Sequence, residues 1–298
     1  MHNLPDFLEK KFRERFGAEK TEGIISAFSA KRPVTARVNT LKATAEEVKT
    51  AFCQAGYAVR VAPFWENALI IEGGDESGIA ELDIYKEGKI YLQSLSSMIP
   101  VLFLGAQAGE NILDMAAAPG GKTTQIAAMT ANGAFITACE KNKIRAERLK
   151  YNIERQGARR TTVMVTDSAK LDPLFTFDRV LLDAPCSGSG TLELWRDKPP
   201  QIDEGLVARS VRIQRTLLRG ALAHMRRGSE MIYSTCSVLE EENEAQIRAA
   251  LGMGAEIVPI SADDLPGVPI LEGSLDGTLT VCPNELYEGF FLAKLRKK

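Results

Sequence analysis

Two cysteines in this 298-residue chain stand where a nucleophile could work. Each follows a short apolar run, Val180-Leu181-Leu182-Asp183-Ala184-Pro185-Cys186-Ser187-Gly188 in one case and Met231-Ile232-Tyr233-Ser234-Thr235-Cys236-Ser237 in the other. Runs of that length bounded by small residues read as buried strands. If the two strands are neighbours, as consecutive strands usually are, both thiols face one pocket. A thiol attacks as its thiolate, and such an attack splits a hard reaction into easier steps. The ordinary role of a free cysteine is that of a small buried hydrophobe, and Cys53, Cys139 and Cys282 are assigned it.

Acids gather at the same edge. The first apolar strand carries Asp114 and runs into Ala116-Ala117-Ala118-Pro119-Gly120-Gly121-Lys122, while Glu140, Asp167 and Asp183 follow the next three. One such acid is unremarkable, because Asp commonly caps helices. One after each of these four strands marks the edge where such sheets bind ligands. A phosphate-cradling loop needs GxxxxGK[ST], and Ala116 stands where the first glycine belongs. The GxGxxG of a dinucleotide site is absent. A nucleoside held by its ribose remains, with Glu140 placed to accept both hydroxyls and Asp167 to accept from an adenine amino group. S-Adenosylmethionine has these groups and a sulfonium cation, which a ring of carboxylates suits; a triphosphate would be repelled. The expected cofactor contacts are Ala116, Ala117, Ala118, Pro119, Gly120, Gly121, Lys122, Glu140, Arg145, Asp167 and Asp183, with no metal.

The elements that must position these residues are α/β. From about Ile90 strands alternate with helices: Ile112–Met115, Phe135–Cys139, Thr162–Val165, Val180–Leu182, Met231–Ser234, Ile257–Ile260 and Phe290–Leu295 read as strands. Helices are expected from Thr123, over Lys143–Arg155, Glu204–Met225 and Glu240–Leu251. Right-handed crossovers make this a doubly wound parallel sheet covered on both faces. Residues 1–88 read instead as a small α+β module, with an amphipathic helix over Asn3–Phe16, a helix over Ala45–Ala55, and strands at Thr35–Leu41, Val59–Val61 and Ala68–Glu72. The division expected is therefore 1–88 and 89–298.

Composition narrows the class. With 45% hydrophobic and 26% charged residues the chain can bury a large core. Its longest apolar run, Met98–Leu104, holds Pro100 and is too short to span a bilayer. Five scattered cysteines without a CxxC pair suggest free thiols in a reducing cytoplasm. A net charge of −2 argues mildly against a nucleic-acid partner, yet six arginines and no acid lie between Gly205 and Ser229. On a helix Arg212, Arg215, Arg219 and Arg226 share one stripe. Lys141–Arg160 is basic as well, and a solvated helix face accounts for either stretch alone.

A thiol beside a methyl donor has one well-suited task. Carbon 5 of cytosine is too weak a nucleophile to take a methyl group unaided. Addition of a thiolate to carbon 6 makes the ring an enamine, which can attack a sulfonium methyl. A helix beginning near Glu240 would favour the thiolate of Cys236 through its N-terminal dipole. Such a base must also leave its stack, which requires a deep pocket.

The chain resembles the Nol1/Nop2/Sun family of RNA (cytosine-5) methyltransferases. The resemblance rests on Ala36-Arg37-Val38-Asn39-Thr40-Leu41, Tyr91–Gln93 with Ser96–Met98, Leu113–Lys122, Leu182–Gly188, Tyr233–Ser237, Glu241–Glu244 and Glu288-Gly289-Phe290-Phe291. These segments span nearly the whole chain. The resemblance implies a class I methyltransferase sheet with a reversed final strand, and an N-terminal module that helps hold RNA. It makes Cys236 the nucleophile and has Cys186 assist product release. Cytosine-5 DNA methyltransferases instead use a Pro-Cys cysteine, which keeps Cys186 as the rival. Asp183 would hold the cytosine edge, and Lys122 would order the site near the donor.

The expected partner is RNA, small-subunit (16S) ribosomal RNA first with transfer RNA still open, bound by a monomer in part through Arg37, Asn39 and the arginine stripe. The alternative is a non-catalytic RNA-binding assembly factor that keeps the fold. The sequence departs from the family at Glu240, where proline is usual, at Arg227-Gly228-Ser229, where Gly-Gly is frequent, and over Trp195–Pro200, a loop expected to touch substrate.

Overall fold

The amphipathic start of the chain becomes α1 (Asp6–Ser29) in a computed structural model that describes residues 4–197, 201–271, 273 and 275–298. Asn3 and the end of the Trp195–Pro200 loop lie outside the described residues. The helix does not stop at Phe16: it kinks at Gly17, whose φ is 77°, and continues. Leu8, Phe12, Ile24 and Phe28 on its inner face pack against Leu192, Val207, Val238 and Leu239. Burying one such side chain fully is worth about 1.5–3 kcal/mol.

A small antiparallel sheet follows. It comprises β1 (Val34–Val38), β2 (Ala58–Val61), β3 (Ala68–Glu72) and β4 (Ile90–Leu92), in the order β2-β3-β1-β4. Between β1 and β2 runs α2 (Ala45–Gln54), started by a capping box of Thr44 and Glu47. Short helices α3 (Glu76–Ala80) and α4 (Asp83–Lys86) lead into β4. Since β4 pairs with β1, this sheet runs past residue 88, whereas α1 packs on the larger unit.

The apolar stretch around Pro100 forms α5 (Leu95–Leu104), capped by Ser94. The alternation expected from sequence then unfolds: β5 (Asn111–Asp114), α6 (Gly121–Met129), β6 (Phe135–Cys139), α7 (Lys143–Gln156), β7 (Thr161–Met164) and β8 (Phe177–Asp183). After these come α8 (Glu204–His224), β9 (Met225–Thr235), α9 (Glu244–Leu251), β10 (Ala255–Val258), β11 (Ile270–Leu271), β12 (Thr278–Val281) and β13 (Phe290–Lys297). The sheet order is β7-β6-β5-β8-β9-β13-β12-β11, with β10 also on β13. Strands β5 to β9 are parallel to their neighbours, and β13 runs against β9. Chain direction along the sheet reverses between β5 and β8, which is where doubly wound sheets open a crevice. Among the described residues no helix is long and apolar enough to cross a membrane.

Two expectations need correction. Helix α8 ends at His224, so Arg226 lies on β9 and its guanidinium pairs with Asp178. The helix expected from Glu240 is broken. A 3-10 turn covers Glu240–Glu242, Asn243 leaves helical geometry at φ −114°, ψ −101°, and α9 begins only at Glu244. Asn243 is bent out because its side chain serves elsewhere: it accepts from Thr235 Oγ1 at 2.5 Å and donates to Ser237 O at 2.9 Å. Cys236 therefore does not sit at the start of a continuous helix.

Candidate active site

Each wall of the crevice between β5 and β8 is built by a strand end. The cleft encloses about 570 Å³ and is lined by Asp114, residues 116–119, Gly121, Lys122, Asp183, Cys236 and Phe290. Thr35, Tyr91, Gln93 and Ser97 close it from the side of the small sheet and α5.

Of the expected cofactor contacts, Ala116, Ala117, Ala118, Pro119, Gly121, Lys122 and Asp183 line this cleft. Gly120, Glu140, Arg145 and Asp167 do not, and each shapes the surroundings instead. Gly120 starts α6 at φ 110°, a left-handed conformation that a side chain resists. Glu140, only 4% exposed, accepts from Asn142 N at 2.8 Å and faces Arg145 at 3.4 Å. Arg145 in turn donates to Ala118 O at 2.8 Å, holding the glycine-rich loop. Asp167 caps the 3-10 turn Ser168–Lys170 through Ala169 N. Asp114 is buried at 1% exposure, and that burial raises its carboxyl to about 6 despite a 2.6 Å hydrogen bond from Thr123.

Asp183 and Lys122 meet at the centre. Lys122 Nζ donates to Asp183 Oδ2 at 2.8 Å and to Ser97 Oγ at 2.7 Å, and lies 5.3 Å from the Phe290 ring centroid. The other oxygen of Asp183 accepts from Ser234 at 2.7 Å. Both carboxylate oxygens are thus oriented by fixed donors.

The sulfurs of Cys186 and Cys236 are 2.9 Å apart, at the adjoining ends of β8 and β9. Cys236 lines the cleft; Cys186 is not among the lining residues. The hydrogen bond with Cys236, together with burial, holds the Cys186 thiol well above its ordinary range. Either sulfur can be the donor in this contact. Burial pushes Cys139 up to about 12, which makes it an inert core thiol. Cys282 is half-buried, and Cys53 is exposed on α2 rather than packed in a core.

The two cysteine loops are tied together by residues that sequence reading did not single out. The wholly buried Glu242 accepts from Ser187 N at 2.8 Å, Ser187 Oγ at 2.6 Å and Gln214 Nε2 at 3.2 Å. Ser189 and Ser237 share a hydrogen bond at 2.8 Å, and Gly190 N donates to Cys236 O at 3.0 Å. Arg15 and Lys11 of α1 pair with Glu244 and Glu241, bracing the same turn from outside. The acidic run after Ser237, with Glu241–Glu244 among the segments that carry the resemblance, was the available signal, and nothing local told which acid points inward.

The expected RNA contacts fare differently. Arg37 is 0% exposed and lies beneath the glycine-rich loop, donating to Gly121 O, Thr124 Oγ1 and Gln93 Oε1. Burial lowers its guanidinium to about 10. Asn39, 1% exposed, bonds Gly88 O and Gln156 O and so joins the small sheet to α7. Neither side chain is available to a phosphate, because both are buried and most of their donors are bonded internally. Arg215 turns inward to Gln246 Oε1 at 2.9 Å, which leaves Arg212 and Arg219 exposed on α8, away from the cleft lining.

Strand order with a reversed β13, and a ligand crevice at the β5/β8 switch, define a class I methyltransferase fold. The chain belongs to the 16S rRNA methyltransferase RsmB/F family, whose model matches residues 101–296, and a model of its ferredoxin-like domain matches residues 4–75. It is 34% identical to the 25S rRNA (cytosine-C(5))-methyltransferase nop2 of Schizosaccharomyces pombe, over 98% of this chain and 50% of that protein. It is 35% identical to ribosomal RNA small subunit methyltransferase F of Vibrio vulnificus, over 88% of this chain and 57% of that protein. The chain thus spans about half the length of the curated relatives it matches. A methyltransferase homolog from Pyrococcus horikoshii superposes with a TM-score of 0.83 at 28% identity, covering 99% of this chain and 100% of that one.

Proposed function

We propose that this chain methylates carbon 5 of a cytosine in ribosomal RNA, with S-adenosylmethionine as donor and Cys236 as transient covalent nucleophile. One observation carries the proposal. Cys236 stands on the wall of the cleft that Asp114, Asp183 and the glycine-rich loop also line, with the Cys186 sulfur 2.9 Å away.

The donor set fits S-adenosylmethionine. Gly121 presents bare backbone to the cleft where a Cβ would stand 3.2 Å from Tyr91 Cε1, and the carboxylates of Asp114 and Asp183 line the same cleft. Residues 116–119, Gly121 and Asp183 would hold the cofactor, and Glu140 and Asp167, which follow β6 and β7 outside this lining, are the carboxylates proposed for its ribose and adenine. Bound there, it supplies an electrophilic methyl group on a sulfonium.

The chain's own residues do the rest. Asp183, oriented by Lys122 and Ser234, accepts from the cytosine edge. Cys236 as its thiolate bonds to carbon 6, the electron pair of the 5,6 double bond passes to carbon 5, and carbon 5 takes the methyl, whose former bonding pair stays on the donor's sulfur. A base then removes the carbon 5 proton, the carbon–sulfur bond breaks, and the ring regains its double bond. Cys186, one hydrogen bond away, assists that release.

The support from relatives is that nop2 and methyltransferase F are both named for ribosomal RNA. The test is tritium transfer from labelled donor to RNA, followed by bisulfite sequencing to locate the base. Cys236→Ala should abolish transfer, and Cys186→Ala should accumulate a denaturation-resistant protein–RNA adduct. The reverse pattern would exchange the roles of the two thiols; no transfer by the unaltered chain to any RNA would end the proposal.

A further inference from the structure

Trp195 presents a large aromatic ring to solvent at the rim of the catalytic cleft. It is 41% exposed, lines the same cleft as Cys236, and belongs to none of the apolar clusters of the interior. Its exposure is not the accident of a loose loop. Leu194 N donates to Phe28 O at 2.8 Å, Leu192 is buried to 1%, and Glu193 pairs with Arg196. Two cations attend the ring: Arg196 lies 5.0 Å and Lys31 5.9 Å from its centroid.

We infer that Trp195, with Lys31 and Arg196, forms the subsite for the nucleotide next to the target cytosine, whose base stacks on the indole. The inference rests on the RNA reading of the cleft and adds where the neighbouring nucleotide goes. An exposed aromatic ring between cations is how proteins hold unpaired nucleotides. The ring takes any base face, and the cations take the phosphate. Reach is adequate. Gly190 is hydrogen-bonded to Cys236 O, and five residues of chain span at most about 17 Å to Trp195. Charge orients the strand as well. Asp75, Glu76 and Glu288 also line the cleft and would repel a phosphate, which therefore sits with Lys31 and Arg196 while the base faces inward.

The chain has two tryptophans, so Trp65→Phe leaves Trp195 as sole reporter. Titration with a single-stranded oligoribonucleotide bearing one central cytosine should quench that emission saturably, and less at higher salt. Trp195→Ala should raise KM for RNA about tenfold with kcat and cofactor binding little changed, and Trp195→Phe should restore most of the loss. Unmoved emission while a labelled oligonucleotide is bound by anisotropy would overturn the subsite, as would wild-type KM in Trp195→Ala. Quenching without methyl transfer by the unaltered chain would leave the subsite standing and remove the proposed reaction. Methyl transfer with Trp195 silent would do the opposite.

Discussion

Gly190 and Gly289 meet backbone to backbone: Gly289 N donates to Gly190 O at 2.8 Å, and a methyl group on Gly190 would lie 2.0 Å from Gly289 O. This contact pins the loop after Cys186 to the residue before β13, while Gly190 N holds Cys236 O. Three segments distant in sequence are locked at one point beside both sulfurs. Gly190→Ala should cost about 3 kcal/mol in urea denaturation, because backbone rather than a flexible side chain must move. Methyl transfer should fall further than stability alone explains, when both are measured below the unfolding transition.

Glu242 holds the Cys186 loop through Ser187 and is buried completely. Glu242→Gln keeps the shape but turns an amide NH₂ towards groups that donate. A loss of about 2–3 kcal/mol is expected from hydrogen bonds to a charged acceptor. The loss should appear mainly in kcat rather than in KM for RNA.

Arg37 is a clamp under the glycine-rich loop and not an RNA contact. Arg37→Gln should weaken S-adenosylmethionine binding in calorimetry and lower stability. The slope of log affinity for RNA against log salt should stay unchanged. A lost phosphate contact would instead reduce that slope by about 0.7.

Asp114 carries a pH signature. Its folded-state value near 6 lies above the ordinary carboxyl value of 3.8, so the folded chain holds the proton more tightly. Its contribution to stability is complete below about 3.8 and is lost as pH rises through about 6. Asp114→Asn removes this term, which amounts to about 3 kcal/mol across the window. Urea midpoints of the two proteins measured from pH 4 to 7 should diverge, with the variant gaining relative stability as pH rises.

Alternating apolar runs were enough to place β5, β6, β8 and α7 within a residue or a few, since buried parallel strands and an amphipathic helix imprint their period directly. The same logic failed at Arg226. Helical spacing put it on the arginine stripe, but α8 ends at His224 and the strand β9 claims the next residue. It failed at Glu240 too, because Asn243 gives its side chain to Thr235 and Ser237 and interrupts the helix. Neither β11 nor β12 was anticipated: two- and four-residue strands on a sheet edge are too short to show a period.

What the order of residues determined alone was local: which runs become strands, which strand ends carry sulfur or carboxylate, and hence which chemistry was on offer. Contacts between distant segments were decided only in three dimensions. Burial turned Arg37 and Asn39 from expected RNA ligands into internal ties, drew Glu242 under the Cys186 loop, and set Cys236 rather than Cys186 on the cleft wall. The physical reason is that a strand's period is written in adjacent side chains. The partner of a buried polar group lies wherever the folded chain can satisfy its hydrogen bonds.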